Sequence, residues 1–451
     1  MRDSSQVREL ITTVIESSKV PSLEIYYMSS QDLQIAAYDG RVSQVTQARK
    51  EGIGVRAVAD TRMGSAFTER IDAKSLRAAI KQAHASAEYM HEDPGFVLYP
   101  GTGTSVSERY YHPENDQISM DDKKSFVCKL EKAARSLDRK ITSVPHAYYV
   151  ESRRRIITAG SSGLFREQMS SSCGSLLQVV AKSGKDVQQA SISRSALSFY
   201  ELSPLQLALD AVMKALDKMK AKQAESGTWE VLFSSETASK LLGAFLNTPH
   251  SHVYGENIQK GRSRLAELLG KPAASKLFTV QDRPKQGTIR SRDFDDEGFP
   301  TKDVTLFFEG KFISPVHSIY SAKRGRCAPT GHGVRPGYTA GPATALHDPC
   351  LVNGEATLDD LTAGVDRGIY VTELEGLHAG FDPITGSFSL SARGFSIERG
   401  EIAAPLKQFT VAGNCFELIQ RITAKANDRR DDRFTSFSSP SILVSSVSVS
   451  G

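Results

Sequence analysis

The chain has 451 residues, enough for two or three domains with substantial cores, and its 39% hydrophobic content is ordinary for a globular protein in water. Its 56 basic and 52 acidic residues leave a net charge of +4, too little at this length to imply nucleic-acid or membrane binding. No apolar run is long enough to cross a bilayer, and the opening MRDSSQVRELITTVIESSK lacks an uninterrupted apolar leader, so a cytoplasmic protein is expected.

Val7, Leu10, Ile11, Val14 and Ile15 recur at helical spacing, which predicts an amphipathic helix ending before Pro21. Strands are expected at 23–27, 33–36, 42–48 and 52–58, with Asp39-Gly40 as a hairpin turn. A reversal at Asp60-Thr61 leads to another strand, Met63 to Phe67. Asp72 caps a helix carrying Leu76, Ile80, Ala83, Ala87 and Met90. The glycines of Gly52-Ile53-Gly54 alternate inside a strand and no helix follows them at once, so a nucleotide loop is excluded on context. His91-Glu92 lacks a second histidine one turn on, because Pro94 and Gly95 interrupt the helix there. Residues 94–115, rich in Gly, Pro, Ser and Thr, read as a linker.

A helix is predicted from Met120 to Leu137, then alternating strands at 147–151, 155–158, 164–168 and 172–182, with a turn at Ser161-Ser162-Gly163. Ser203-Pro204 starts a helix whose expected buried stripe is Leu205, Leu209, Val212, Met213, Leu216 and Met219. Trp229 to Phe233 is a strand, and Ser235 is expected to cap a helix through Leu246. His250, His252 and Glu256 follow it. Two histidines one residue apart lie on different faces of a helix, so they would share a metal only from a loop, which Pro249 permits.

Asp293, Asp295, Asp296 and Glu297 precede Gly298 and Pro300, then the strand Val304 to Phe308 with a reversal at Glu309-Gly310. The pattern describes a solvated turn before a sheet, with oxygen ligation of a divalent cation as the alternative. Residues 323–337 read as a long Gly, Pro and Arg-rich loop, either functional or a solvated linker. Strands are expected at 368–376 and 387–393, Pro405 starts an expected edge strand toward Val411, and a helix follows from Gly413 through Ile422. A charged loop at 427–433 and a closing strand, Ile442 to Val449, complete the chain. Five scattered cysteines never form C-x-x-C, which argues against a zinc ribbon or disulfide framework.

Several of these segments, in order, resemble the TldD/PmbA family, once called modulators of DNA gyrase. They are Gly-Ile-Gly-Val-Arg at 52–56, Asp-Glu-Gly-Phe-Pro-Thr at 296–301, Thr-Gly-Ser-Phe-Ser at 385–389, Ile-Glu-Arg-Gly-Glu-Ile at 397–402 and Ala-Gly-Asn at 412–414. The resemblance implies an α+β fold of antiparallel β-sheets with flanking helices and a large β-rich C-terminal domain through which subunits pair. The expected segments are 1–112, 113–224 and 225–451. It also implies a part in a metallopeptidase acting on unfolded peptides or peptide precursors. TldD-like members carry His-Glu-x-x-x-His after the strand and helix that open the third segment, and a cysteine ligand further on. This chain has neither, and Cys415 reads as a buried helical cysteine. The resemblance is therefore to the metal-free TldE/PmbA subunit, with no metal or catalytic residue of its own and zinc in a TldD-like partner. Thr330, Gly331, His332 and Arg335 match the family's cleft loop, with His332 where Asn is usual. The alternatives are a non-proteolytic homodimer and a divergent peptidase using His250, His252 and Glu256.

Overall fold

The computed structural model describes residues 4–430 and 435–451, so positions 431–433 of the expected charged loop lie outside the described residues. The first half of the chain runs α1 (Ser4–Glu16), β1 (Leu23–Tyr38), β2 (Arg41–Ala59), β3 (Arg62–Thr68), α2 (Ala73–Ala87), β4 (Gly103–Tyr110) and α3 (Glu114–Gln117). It continues with α4 (Met120–Leu137), β5 (Ile141–Gly160), β6 (Leu164–Ser183), β7 (Asp186–Ala196) and α5 (Pro204–Leu216). All seven strands form one sheet, ordered β3-β2-β1-β5-β6-β4, with β7 also on β6. The first two sequence segments thus share a single sheet.

The strands are longer than their apolar stretches. β5 passes straight through Arg153, Arg154 and Arg155 because each finds a partner: Arg153 pairs with Asp116 at 2.7 Å, Arg154 bonds the Tyr26 hydroxyl, and buried Arg155 pairs with Glu167 at 2.8 Å. Strand pleating then divides the sheet into two faces. On one face Ile25, Tyr27, Ile53 and Val55 meet α1 and α2, while Ile35, Tyr149 and Leu177 meet α4 and α5. The other face carries Glu24, Tyr26, Arg56 and Ile156 toward the third segment.

Two expectations fail here. The linker contains β4, which lies parallel to β6 and is tied to the acidic turn by Ser107 and Tyr110 on Asp293. In α5 the buried residues are Leu207, Ala208, Ala211, Val212 and Ala215, whereas Leu205, Leu209 and Met213 are exposed. Both sides of that helix are apolar, and the alanine side wins because it lets α4 approach closely.

The second half runs β8 (Gly227–Phe233), α6 (Ser235–Leu246, capped by Ser234), α7 (Gly255–Gln259), β9 (Val280–Asp282), β10 (Val304–Phe308), β11 (Lys311–Phe312) and α8 (Ile319–Gly325). Then come β12 (Gly333–Val334), β13 (Ala343–Thr344), β14 (Pro349–Leu351), α9 (Leu358–Ala363), β15 (Arg367–Glu375), α10 (Leu377–Gly380), β16 (Ser387–Glu398) and β17 (Glu401–Asn414). α11 (Cys415–Leu418), β18 (Ile422–Lys425) and β19 (Ile442–Ser450) end the chain. Strands β17-β16-β15-β8-β19 follow one another, and β17 also pairs with β19, closing a five-stranded ring with β18 beside it. β17 is therefore not the free edge strand anticipated at Pro405, and the expected helix from Gly413 stops at Leu418, so Ile422 begins a strand. The main core joins this ring to α6 and to the β9–β11 hairpin region through Phe233, Phe245, Phe278, Phe307 and Val444.

The glycines of β2 have a structural reason. Gly52 and Gly54 face the third segment, and Tyr338 lies across them so closely that a Cβ at Gly54 would overlap the Tyr338 carbonyl oxygen.

Candidate functional site

The turn read as solvated is buried. Asp295, Asp296 and Glu297 are at most 1% exposed, wedged between the outer face of the first sheet and the loop after α8. Asp295 accepts backbone N–H bonds from Glu297, Phe299 and Gly333 at 2.9–3.0 Å. Asp296 accepts from Arg292 at 2.5 Å and from the Arg335 backbone at 2.7 Å. Glu297 accepts the Ile319 N–H at 2.8 Å and lies 3.4 Å from Arg56. Arg56 in turn forks onto Glu24 at 2.6 and 2.8 Å, and Arg335 closes the circuit onto the same Glu24 carboxylate. The carboxylates are thus occupied by protein donors, and among the described residues no cluster of three or more His, Cys, Asp or Glu could hold a metal ion.

The expected cleft loop comes together around this turn. Thr330 is half-buried, its Oγ1 accepting the His317 N–H at 2.7 Å. Gly331 is buried at φ 78°, pressed against the Pro300 carbonyl where a side chain has no room. His332 is fully buried, with Nε2 2.7 Å from Asp282 and Nδ1 2.9 Å from the Thr330 hydroxyl, and it stacks on His347. Arg335 lies over the Tyr26 ring at 4.7 Å and borders a cavity of about 470 Å3 shared with Arg56 and Gly54. Gly331 and His332 are packed interior, not part of a solvated linker.

Electrostatics follow from burial and pairing. Burial alone would raise Asp282, yet His332 and then His347 hold it below its usual value. Burial, reinforced by the Arg292 charge, pushes His347 down to about 3, so that ring is neutral. Burial and then the charge of Glu297 raise Asp295 despite its N–H bonds, and burial raises Glu297 as well. Asp296 goes the other way: burial opposes it, but the charges of Arg292 and Arg154 bring it to about 2.

That shift has a sign. A folded-state value of about 2 against an ordinary 3.8 stabilises the fold above pH 4 by about 2 kcal/mol, and the gain disappears as pH falls toward 2. Asp295 and Glu297, raised in the fold, contribute oppositely: their share is full below their unfolded values and is lost as pH rises. Comparing urea unfolding of the native chain with Asp296→Asn should therefore show a stability gap at pH 5 that narrows below pH 4. A gap independent of pH would refute the assignment.

The histidines after α6 are not brought together as a metal site. His252 is fully buried; its Nδ1 accepts the Arg264 N–H at 3.2 Å and its Nε2 donates to the Pro383 carbonyl at 3.1 Å. Both ring nitrogens are spent on backbone. His250 is exposed, and Glu256 pairs with Lys260. Cys415 is fully buried, its thiol pushed up by burial. These residues do not fit zinc.

Beside α6 runs a groove of about 960 Å3 between α5 and the ring, lined by Met213, Lys214, Ser235, Glu236, Tyr370 and Asp428 among others. Sequence reasoning did not find this groove, nor Glu24, Arg56, Asp282 and His347. A charge inside an otherwise apolar strand, as in LEIYYM and GIGVRAV, was the available signal for the first two.

Residues 226–451 match the PmbA/TldA metallopeptidase C-terminal domain, residues 23–87 its domain 1 and residues 113–219 its central domain. The chain is 28% identical to a Metalloprotease TldD homolog of Buchnera aphidicola over 84% of its length and 80% of the relative's. It is 22% identical to Metalloprotease PmbA of Escherichia coli O157:H7 over 94% and 91%. The crystal structure of TldE from Thermococcus kodakarensis superposes with a TM-score of 0.88 at 25% identity, covering 99% of this chain and 100% of that one. With its C-terminal half, its first sheet and its whole fold all matched, the chain belongs to the TldD/PmbA family of metallopeptidases.

Proposed function

We propose that this chain is the metal-free, TldE-like subunit of a two-subunit metallopeptidase, acting on extended or unfolded peptides beside a zinc-bearing TldD-like partner. The observation that carries this reading is the state of His252, whose two ring nitrogens are already committed to backbone groups. α6 supports it, since the groove-facing residues of that helix are Ser235, Glu236 and Ser239 and none is a histidine. A groove of about 960 Å3 is large enough for several residues of an extended peptide. Five unpaired cysteines fit a reducing compartment such as the cytosol.

The test is co-expression with the TldD-like chain of the same organism. A stable one-to-one complex should form, and cleavage of a flexible peptide should require both chains and be abolished by chelation. If no complex forms and the partner cleaves equally well alone, the chain is instead a separate homodimeric binding protein. Chelator-sensitive cleavage by this chain alone, lost on substituting His250 and His252, would point to the divergent peptidase.

A further inference from the structure

A second cavity, of about 380 Å3, lies between the outer face of the first sheet and residues 289–292. Its floor is a patch of β5 and β6 in which Ser152 faces Ser172 and Arg154 faces Ser170 across the ladder. Arg290 and Arg292 reach it from the other side, and among the described residues no acidic one lines it. Two of the three guanidinium groups are already matched, Arg290 to Asp348 at 2.8 Å and Arg292 to Asp296 at 2.5 Å.

Arg154 is different. Its terminal nitrogen bonds the neutral Tyr26 hydroxyl at 3.2 Å. Among the described residues it forms no ion pair, and its Nε is buried with no hydrogen-bond partner. A guanidinium carries five donors in a planar fork shaped for a carboxylate, and a buried donor without an acceptor is a cost that a bound anion would remove. The rest of the lining fixes what kind of anion fits. Arg154 feels the Asp296 charge but has no carboxylate of the described residues within ion-pair distance, which suits a singly charged group, and Ile156, Ile289, Val334 and Leu346 offer an aliphatic wall beside it.

We propose that this cavity binds the C-terminal carboxylate of a peptide. Arg154 supplies the charge-assisted bond, Ser170 and Ser172 offer hydroxyl donors, and the aliphatic wall takes the last side chain. The choice of a peptide rests on the function proposed above; the oxyanion chemistry is shared with inorganic phosphate, so the experiment includes both.

The isolated chain is titrated calorimetrically with an N-acetylated tripeptide ending in valine, with the same peptide as its C-terminal amide, and with phosphate. The acid should bind roughly tenfold to a hundredfold more tightly than the amide. Arg154→Gln should weaken the acid by a similar factor. Ser170→Asp should do the same while keeping Arg154, by giving it an internal carboxylate, which guards against misreading a folding defect. Equal binding of acid and amide, no binding of the acid, or indifference to both substitutions would overturn the proposal. Phosphate binding as tightly as the peptide acid would overturn its peptide part. The titration needs neither partner nor metal, so its failure leaves the subunit assignment standing.

Discussion

Arg56→Ala should lower the unfolding free energy by about 3–5 kcal/mol, the range seen when one member of a buried ion pair is removed. The Arg56 guanidinium sits between Glu24 and Glu297, and all three side chains are at most 6% exposed. Without it two interior carboxylates, Glu24 and Glu297, are left with Arg335 as the remaining cation of the circuit. The cost lies in the stranded charge and not in the bond itself, which gives a sharp control. Arg56→Met combined with Glu297→Gln leaves Glu24 and Arg335 as a closed pair and should recover most of the loss. Urea midpoints at unchanged slope measure both. A single variant within about 1 kcal/mol of the native chain, or a double variant no better than the single, would show that the circuit does not hold the segments together.

Asp282→Ala is expected to cost about as much, roughly 3–5 kcal/mol, by leaving three buried donors without an acceptor. Asp282 receives His332 Nε2 at 2.7 Å, the His347 N–H at 3.1 Å and the Asp348 N–H at 2.6 Å. Asp282→Asn keeps an oxygen for the backbone donors and should lose less. Hydrogen exchange locates the damage: the amides of residues 347 and 348 should exchange faster in the alanine variant, before global unfolding. If those amides stay protected, Asp282 is not what anchors this region.

How much of this was readable beforehand depends on the range of the interaction involved. α4 was placed from Met120 to Leu137 because its apolar stripe is unambiguous, and in the structure Ser119 caps it. The hairpin at Asp39-Gly40 was equally local, both residues having positive φ. β5 was broken at residues 152–154 because Arg153 and Arg154 look like a solvated turn until Asp116 and Tyr26 are known to lie beside them. The acidic turn failed for the same reason, since Asp296 and Glu297 are neutralised by Arg292 and Arg56, and Arg56 lies 241 residues away from Glu297. Local rules find elements; which charges are buried is decided by partners distant in the chain. The loop at 330–335 was singled out because its motif resembles a family's, and nothing in its composition distinguishes His332, which is buried, from His250, which is exposed.

The closed ring has a consequence for how the chain is made. β8 starts at Gly227, yet its neighbours are β15 and the terminal strand β19, and Gly227 itself lies opposite Val449. During synthesis on the ribosome, the apolar side of β8 must wait for more than 200 further residues before its second neighbour emerges, a delay that exposes Val231 and Phe233 to chaperones or to misassembly. The N-terminal sheet, complete once β7 has left the exit tunnel, is free of that wait and can serve as a finished surface on which the later half condenses.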